Sequence, residues 1–238
     1  AAYLSTEAGL RNGSIWANCM WLKGVVMKAH YNGLIPRNPF IQFHISPNVK
    51  EREYLTEDEL KAVMTHEFAD SKLAYIRDIF IFASFTALSF VDIQELTNDN
   101  IVEVNGEKWI LSKRHKTKVA FQVKLLDIPL QIVERYRPMQ KDNRIFPGLN
   151  YWSICKPLKR MIRECGITKS ISFHCSRHGF ATLALSKGMP IESVSRVLGH
   201  TNIVTTQLYA KITTQKLDND LTMFGDKLSK TFNGITMS

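Results

Sequence analysis

The stretch from His174 to Tyr209 carries three short runs in order: His174-Cys175-Ser176-Arg177-His178, then Leu198-Gly199-His200, then Tyr209, nine residues beyond His200. Their side chains suit the attack of a tyrosine on a phosphodiester. A phenol with a pKa near ~10 is a weak nucleophile at neutral pH and needs help from its neighbours. Arg177 offers a planar guanidinium fork that can bind two phosphate oxygens. His174 and His200 add imidazoles that can hydrogen-bond the remaining oxygens or move the tyrosine proton. His174 and Arg177 stand three residues apart, so a helical run puts them on one face.

Working outward, the pattern predicts helices near 175–187, 190–198 and 202–210, with Gly188 and Gly199 as C-terminal stops. Upstream, helices are expected near 151–165, closed by Gly166, and near 130–140. Asn105-Gly106 between Ile101-Val102-Glu103-Val104 and Trp109-Ile110-Leu111 is a hairpin signal, and a third strand is expected from Ala120 to Leu126. Asp70-Ser71 opens an apolar helical segment through Tyr75, Ile79, Phe82 and Phe85. Thr56-Glu57-Asp58-Glu59 is a capping box with Leu55 and Leu60 placed as a hydrophobic staple. The polar, proline-broken run from Ser46 to Glu53 reads as linker, and the boundary is placed across residues 46–55. Before it, Ile15, Cys19, Leu22, Val26 and Ala29 form an amphipathic helical stripe that Pro36 and Pro39 end. The fold class is therefore mainly α with one small antiparallel β-sheet, an α+β arrangement.

With those motifs in place, the chain resembles the tyrosine recombinase (phage integrase) family. The His174-x-x-Arg177 box, the Leu-Gly-His box and the spacing to Tyr209 carry the resemblance, which extends upstream to about residue 56 and more loosely over the first 45. It implies that residues 1–45 are the C-terminal part of a helical core-binding domain, and 56–238 a catalytic domain with a tail from about 213. It also implies roles. Tyr209 is the nucleophile, Arg177 clamps the phosphate, and His174 and His200 bind its oxygens or take the tyrosine proton. His178 supports packing. Lys116, within Lys113-Arg114-His115-Lys116-Thr117-Lys118, is the general acid for the leaving 5′-oxygen, with Lys118 as the competing choice. Asp92 orients catalytic groups from behind.

One position departs from the family. Its first catalytic arginine lies in a turn of the type Thr-Gly-Leu-Arg-x-x-Glu/Asp, and this chain reads Thr86-Ala87-Leu88-Ser89-Phe90-Val91-Asp92. Ser89 is a good N-cap but supplies no charge. Either the protein binds DNA without cutting it, or another cation substitutes. Arg114 is one candidate, because a strand would turn it to the same side as Lys116; Arg77 in the preceding helix is the other. Integrases of some conjugative transposons resemble this chain in carrying serine there, which favours substitution.

The bulk properties agree. Over 238 residues the chain is 45% hydrophobic and 22% charged, with net charge +9 and pI ≈ 9.4, suited to a polyanionic partner. No apolar run approaches the ~20 residues of a membrane span, and a cytoplasmic, nucleoid-associated protein is expected. Cys19, Cys155, Cys165 and Cys175 form no C-x-x-C pair, so free buried thiols are expected and not a zinc site. The opening Ala1-Ala2-Tyr3 reads as mid-helical, as in a fragment of something longer, and whether a further DNA-binding domain precedes it stays open. The resemblance implies double-stranded DNA as substrate, with no metal or nucleotide cofactor. It further implies a free monomer, a homotetramer in the synaptic complex and DNA-bending accessory proteins. Arg11, Lys23 and Lys28 are candidate phosphate contacts, and the apolar tail residues Leu217, Leu221, Met223, Phe224 and Leu228 suit a neighbouring protomer. Two other classes stay open: a helix-turn-helix binder using residues 191–212, and a type IB topoisomerase with the same nucleophile.

Overall fold

The computed structural model describes residues 2–46, 53–140, 142–209 and 214–231. The chain divides into two compact units, residues 1–51 and 52–238. Most of the expected linker, residues 47–52, lies outside the described residues.

The first unit holds α1 (Ala2–Thr6) and α2 (Asn12–Tyr31). Of the α2 stripe, Ile15 and Cys19 are buried, whereas Leu22 is exposed. Lys23 is partly engaged, its Nζ donating to the Phe43 carbonyl at 3.3 Å.

The second unit begins at α3 (Glu57–Thr65), where the Thr56 side chain accepts from the Glu59 N–H and the Glu59 carboxylate takes the Thr56 N–H. Leu55 and Leu60 are both buried, as the staple requires. The core is organised around α4 (Ser71–Thr86), capped by Asp70. Its Leu73, Ile76, Ile79, Phe80, Phe82 and Ala83 are all buried, so this helix is apolar nearly all round, as a central helix must be. Phe82 meets Phe146 edge-on at 4.9 Å, and Phe80 meets Phe173 at 6.1 Å. Inside the same core, Asp78 takes hydrogen bonds from Arg77 Nε (2.9 Å), Arg135 (2.7 Å) and the Tyr136 hydroxyl (2.8 Å).

A short helix α5 (Phe90–Gln94) leads to an antiparallel sheet of β1 (Ile101–Val104), β2 (Glu107–Lys113) and β3 (Ala120–Lys124), in the order β1-β2-β3. Ile110 pairs with both Ile101 and Val123, which turns the apolar side chains Ile110, Phe121 and Val123 inward. Then come α6 (Asp127–Tyr136), α7 (Tyr151–Glu164), α8 (Cys175–Ser186), α9 (Ile191–Leu198), α10 (Val204–Gln207) and α11 (Thr214–Thr231). Of the helix expected over 202–210, α10 covers Val204–Gln207 and a turn follows through Tyr209, while residue 210 lies outside the described residues. Local propensity does not set this end, because the β-branched Val204, Thr205 and Thr206 lie inside α10 and the helix stops after them, at Gln207 and Leu208. Among the described residues the second helix of the helix-turn-helix reading spans only Val204–Gln207, and residues 210–212 of that reading lie outside them. All four cysteines are free, but only Cys19 and Cys175 are buried; Cys155 and Cys165 are half-exposed at the rim of α7.

Candidate active site

Three turns deliver the site. At the end of α4, Ala87 adopts a left-handed conformation (φ 56°), an uncommon state for a residue with a Cβ. That turn directs its carbonyl at Arg177, whose Nη1 donates to it at 2.7 Å. At the end of α9, Gly199 is also left-handed (φ 60°), and the His200 N–H returns to the Ser195 carbonyl at 3.1 Å. The second Arg177 nitrogen donates to the Leu198 carbonyl in that turn. Buried on the first turn of α8, Arg177 thus ties the end of α4 to the end of α9.

Arg114 lies in the same region, though not for the reason expected. Strand β2 ends at Lys113, and the Lys118 N–H closes a turn onto the Arg114 carbonyl at 2.8 Å. Strand alternation therefore does not continue to Lys116: Lys116 is exposed at the tip, while Arg114 is 6% exposed. Its guanidinium donates to Asp92 Oδ2 at 2.7 Å and to the Val197 carbonyl at 2.6 Å, and lies 4.1 Å from the centroid of the Phe121 ring. Its Nε is buried and, among the described residues, has no hydrogen-bond partner. Arg114 holds the Val197 carbonyl and Arg177 the next one, of Leu198, while His200 follows in the same turn, so the three are neighbours.

Asp92 anchors that arrangement. Its carboxylate takes the Ser89 hydroxyl at 2.7 Å, the Arg114 guanidinium at 2.7 Å and the His115 N–H at 3.0 Å. Burial raises the Asp92 carboxyl, but those three donors outweigh it and hold the group below its ordinary value. Ser89 forms the N-cap of α5 in a reciprocal capping box with Asp92, so its hydroxyl is committed to local structure. Arg77 belongs to another cluster, donating to Asp78 and to the His66 carbonyl at 2.9 Å, neither of which is a residue of the Arg177 group.

The histidines line up toward the tyrosine. His174 precedes α8 and is exposed; its ring meets that of His178 edge-on at 4.7 Å, and His178 meets Tyr209 at 5.2 Å. Tyr209 is half-buried against a small apolar cluster of Ala87, Ala181, Leu185, Val194 and Leu198, and its phenol acts electrostatically on Arg177. His200 Nδ1 is 2.9 Å from the Thr206 hydroxyl.

The electrostatics favour an anion. Burial pushes the Arg177 guanidinium down to about 10, the Arg114 charge adding to the effect, so it stays cationic at neutral pH. Burial, followed by the charges of Arg177, Arg114 and His174, pushes His200 down to about 4, so its imidazole is neutral. Among the described residues no group of three His, Cys, Asp or Glu side chains is placed to hold a metal ion. The carbonyls of Ala87, Val197 and Leu198, which hold the two arginines, were invisible to sequence reasoning because a backbone acceptor leaves no residue signature. Thr206 carried a weak signal: it falls six residues after His200 and three before Tyr209.

Comparison with known proteins gives a consistent result. The phage integrase family profile matches residues 53–216. The chain is 32% identical over 177 residues to tyrosine recombinase XerA of Pyrococcus horikoshii, covering 68% of this chain and 58% of that protein. It thus spans little more than half of that relative's length. It is 25% identical over 229 residues to tyrosine recombinase XerC of Lactobacillus leichmannii, covering 90% of this chain and 77% of that one. The fold resembles that of the Tn1549 transposon integrase, with a TM-score of 0.79 at 18% identity, covering 93% of this chain and 82% of the other.

Proposed function

This chain belongs to the phage integrase family, and from that premise we propose that it is a site-specific DNA strand transferase working through a 3′-phosphotyrosine. The observation that carries the reading is the assembly of Tyr209, Arg177, Arg114 and His200 around one anion-attracting region. The Tyr209 oxygen attacks a backbone phosphorus, the bond to the 5′-oxygen breaks, and the proton lost by the phenol is matched by one delivered to that 5′-oxygen. One phosphodiester replaces another, so the bond energy is kept for rejoining to a second 5′-hydroxyl.

Arg177 binds the non-bridging oxygens and stabilises charge that develops in the transition state. Arg114 supplies the second positive charge that Ser89 lacks, with Asp92 holding it in place. His174, exposed beside the pocket, is suited to take the tyrosine proton, and Lys116, on the exposed hairpin tip, to protonate the leaving oxygen. A neutral His200 donates a hydrogen bond to the phosphate.

Duplex DNA at core-type recombination sites is the substrate. The Tn1549 integrase structure contains a circular intermediate DNA, which supports integration or excision of a mobile element as the task. A free monomer assembling into a tetramer on two sites, with DNA-bending proteins assisting, fits that task.

The test is covalent trapping. The protein and a Tyr209→Phe variant are incubated with nicked duplexes spanning candidate element ends, with binding measured on the same DNA. A denaturation-resistant adduct in the parent alone supports the proposal. Binding without an adduct would make the protein a DNA binder that does not cut. Relaxation of supercoils without site preference would indicate a type IB topoisomerase.

A further inference from the structure

We propose that Thr206 is a positioning residue that holds His200 as its Nε2–H tautomer, committing a neutral histidine to donate, and not accept, a hydrogen bond at the phosphate. The role at the phosphate rests on the strand-transferase reading; the tautomer itself does not.

The Thr206 hydroxyl is spent away from the backbone. Helical threonines commonly turn their hydroxyls back onto a carbonyl one turn earlier. In this protein Thr65 donates to the Lys61 carbonyl at 3.0 Å, Thr86 to Phe82 at 2.7 Å, and Thr231 to Lys227 at 3.0 Å. Thr206 does not. It is completely buried, and among the described residues its hydroxyl makes one hydrogen bond, the 2.9 Å contact with His200 Nδ1.

A buried hydroxyl proton without an acceptor is costly, so the proton of Thr206 points at Nδ1 and Nδ1 accepts it. A neutral imidazole has a single N–H, and with Nδ1 accepting, that hydrogen sits on Nε2. Neutrality is secured by the surroundings, where Arg177 and Arg114 bring positive charge to His200 and its burial opposes a third. The Nε2–H is then aimed outward as a fixed donor. It follows that His200 cannot take the Tyr209 proton through Nε2. Thr206 has a second tie to the nucleophile: its carbonyl accepts the Tyr209 N–H at 3.0 Å. One buried residue of α10 therefore orients a phosphate donor through its side chain and the tyrosine-bearing turn through its backbone.

The test uses the full chain with 15N-labelled histidine. Long-range proton–nitrogen spectra of the DNA-free protein at neutral pH report the tautomer of His200, identified by the signal lost in His200→Gln. A protonated Nε2 and an unprotonated Nδ1 are expected in the parent and in Thr206→Ser, while Thr206→Val gives averaged signals of both tautomers. Adduct formation on suicide duplexes should fall about tenfold in Thr206→Val, the size of one net hydrogen bond, and stay within about threefold of the parent in Thr206→Ser. In a His200→Trp background the indole N–H needs no such partner, so adding Thr206→Val should cost little further rate.

A protonated Nδ1 in the parent overturns the proposal, and so does a His200 tautomer in Thr206→Val indistinguishable from the parent's. If Thr206→Val does not fold, the spectra of the parent and Thr206→Ser still decide. If the parent binds DNA but forms no adduct, the strand-transferase reading fails while the tautomer result stands, so the two failures are distinguishable.

Discussion

Replacing Arg114 with alanine should damage stability and chemistry by separable amounts. On the stability side, the change leaves the Asp92 carboxylate buried without its ion-pair partner and strips the Val197 carbonyl of its donor. Breaking a buried pair from one side costs ~3–5 kcal/mol. Asp92 keeps the Ser89 hydroxyl and the His115 N–H, which places the loss near the lower end, about 3 kcal/mol. A domain of ordinary stability, about 5–15 kcal/mol, remains folded after that loss. On the chemical side, one donor or charge aimed at a developing oxyanion is worth about 10²–10³ in rate. The assay is single-turnover adduct formation at saturating DNA, run beside urea unfolding of the same samples. Val63→Ala serves as the control, since it trims a fully buried core residue of α3 without touching the site. Val63→Ala should lose stability and keep its rate, and Arg114→Ala should lose both. If Arg114→Ala keeps its rate within about threefold while losing stability, Arg114 is structural and the substitution argument is wrong.

Gly199→Ala should act through the same arginine: a Cβ there would stand 2.8 Å from Arg114 Nε and 3.0 Å from its Cγ, on a left-handed residue that itself costs ~1–2 kcal/mol to substitute. Thermal melting should fall and adduct formation should drop with it; a variant of parental activity would mean Arg114 can shift freely. Lys116→Ala should lose about 10²–10⁴ in cleavage rate as a missing general acid, and recover on DNA with a 5′-bridging sulfur, whose thiolate leaves without a proton. Rescue of Lys118→Ala instead would move the assignment. His200 is held at about 4 in the fold against 6.5 for the free side chain, so the unfolded chain binds the extra proton between those values. Its contribution is present above pH ~6.5 and is lost as pH falls toward 4, and His200→Gln should flatten that part of the unfolding profile.

The chemistry-bearing residues were legible because side-chain identity is what the sequence records. The Thr56 capping box, the Asn105-Gly106 hairpin and the Gly199 stop are local signals, and the structure has all three. What could not be read depends on long-range packing. Arg114 was a candidate on strand alternation, yet the strand ends at Lys113 and the side chain turns inward because Asp92 and the Val197 carbonyl receive it. Arg77 was indistinguishable from it in sequence and is instead held by Asp78 and His66. The helix across Tyr209 is shorter than the spacing implies, and local propensity does not place its end, since the β-branched Val204, Thr205 and Thr206 are inside α10 and the chain leaves the helix at Gln207 and Leu208. Ser89 was readable as an N-cap, and its capping box with Asp92 explains why it cannot stand in for the missing guanidinium.

The most direct test of the central claim is to map the covalent bond. Adduct formed on a suicide duplex is digested with protease and nuclease, and the peptide carrying the residual nucleotide is sequenced by mass spectrometry. A phosphodiester joining Tyr209 to a DNA 3′ end is expected, absent from Tyr209→Phe. A link to another tyrosine, or to a 5′ end, would contradict it.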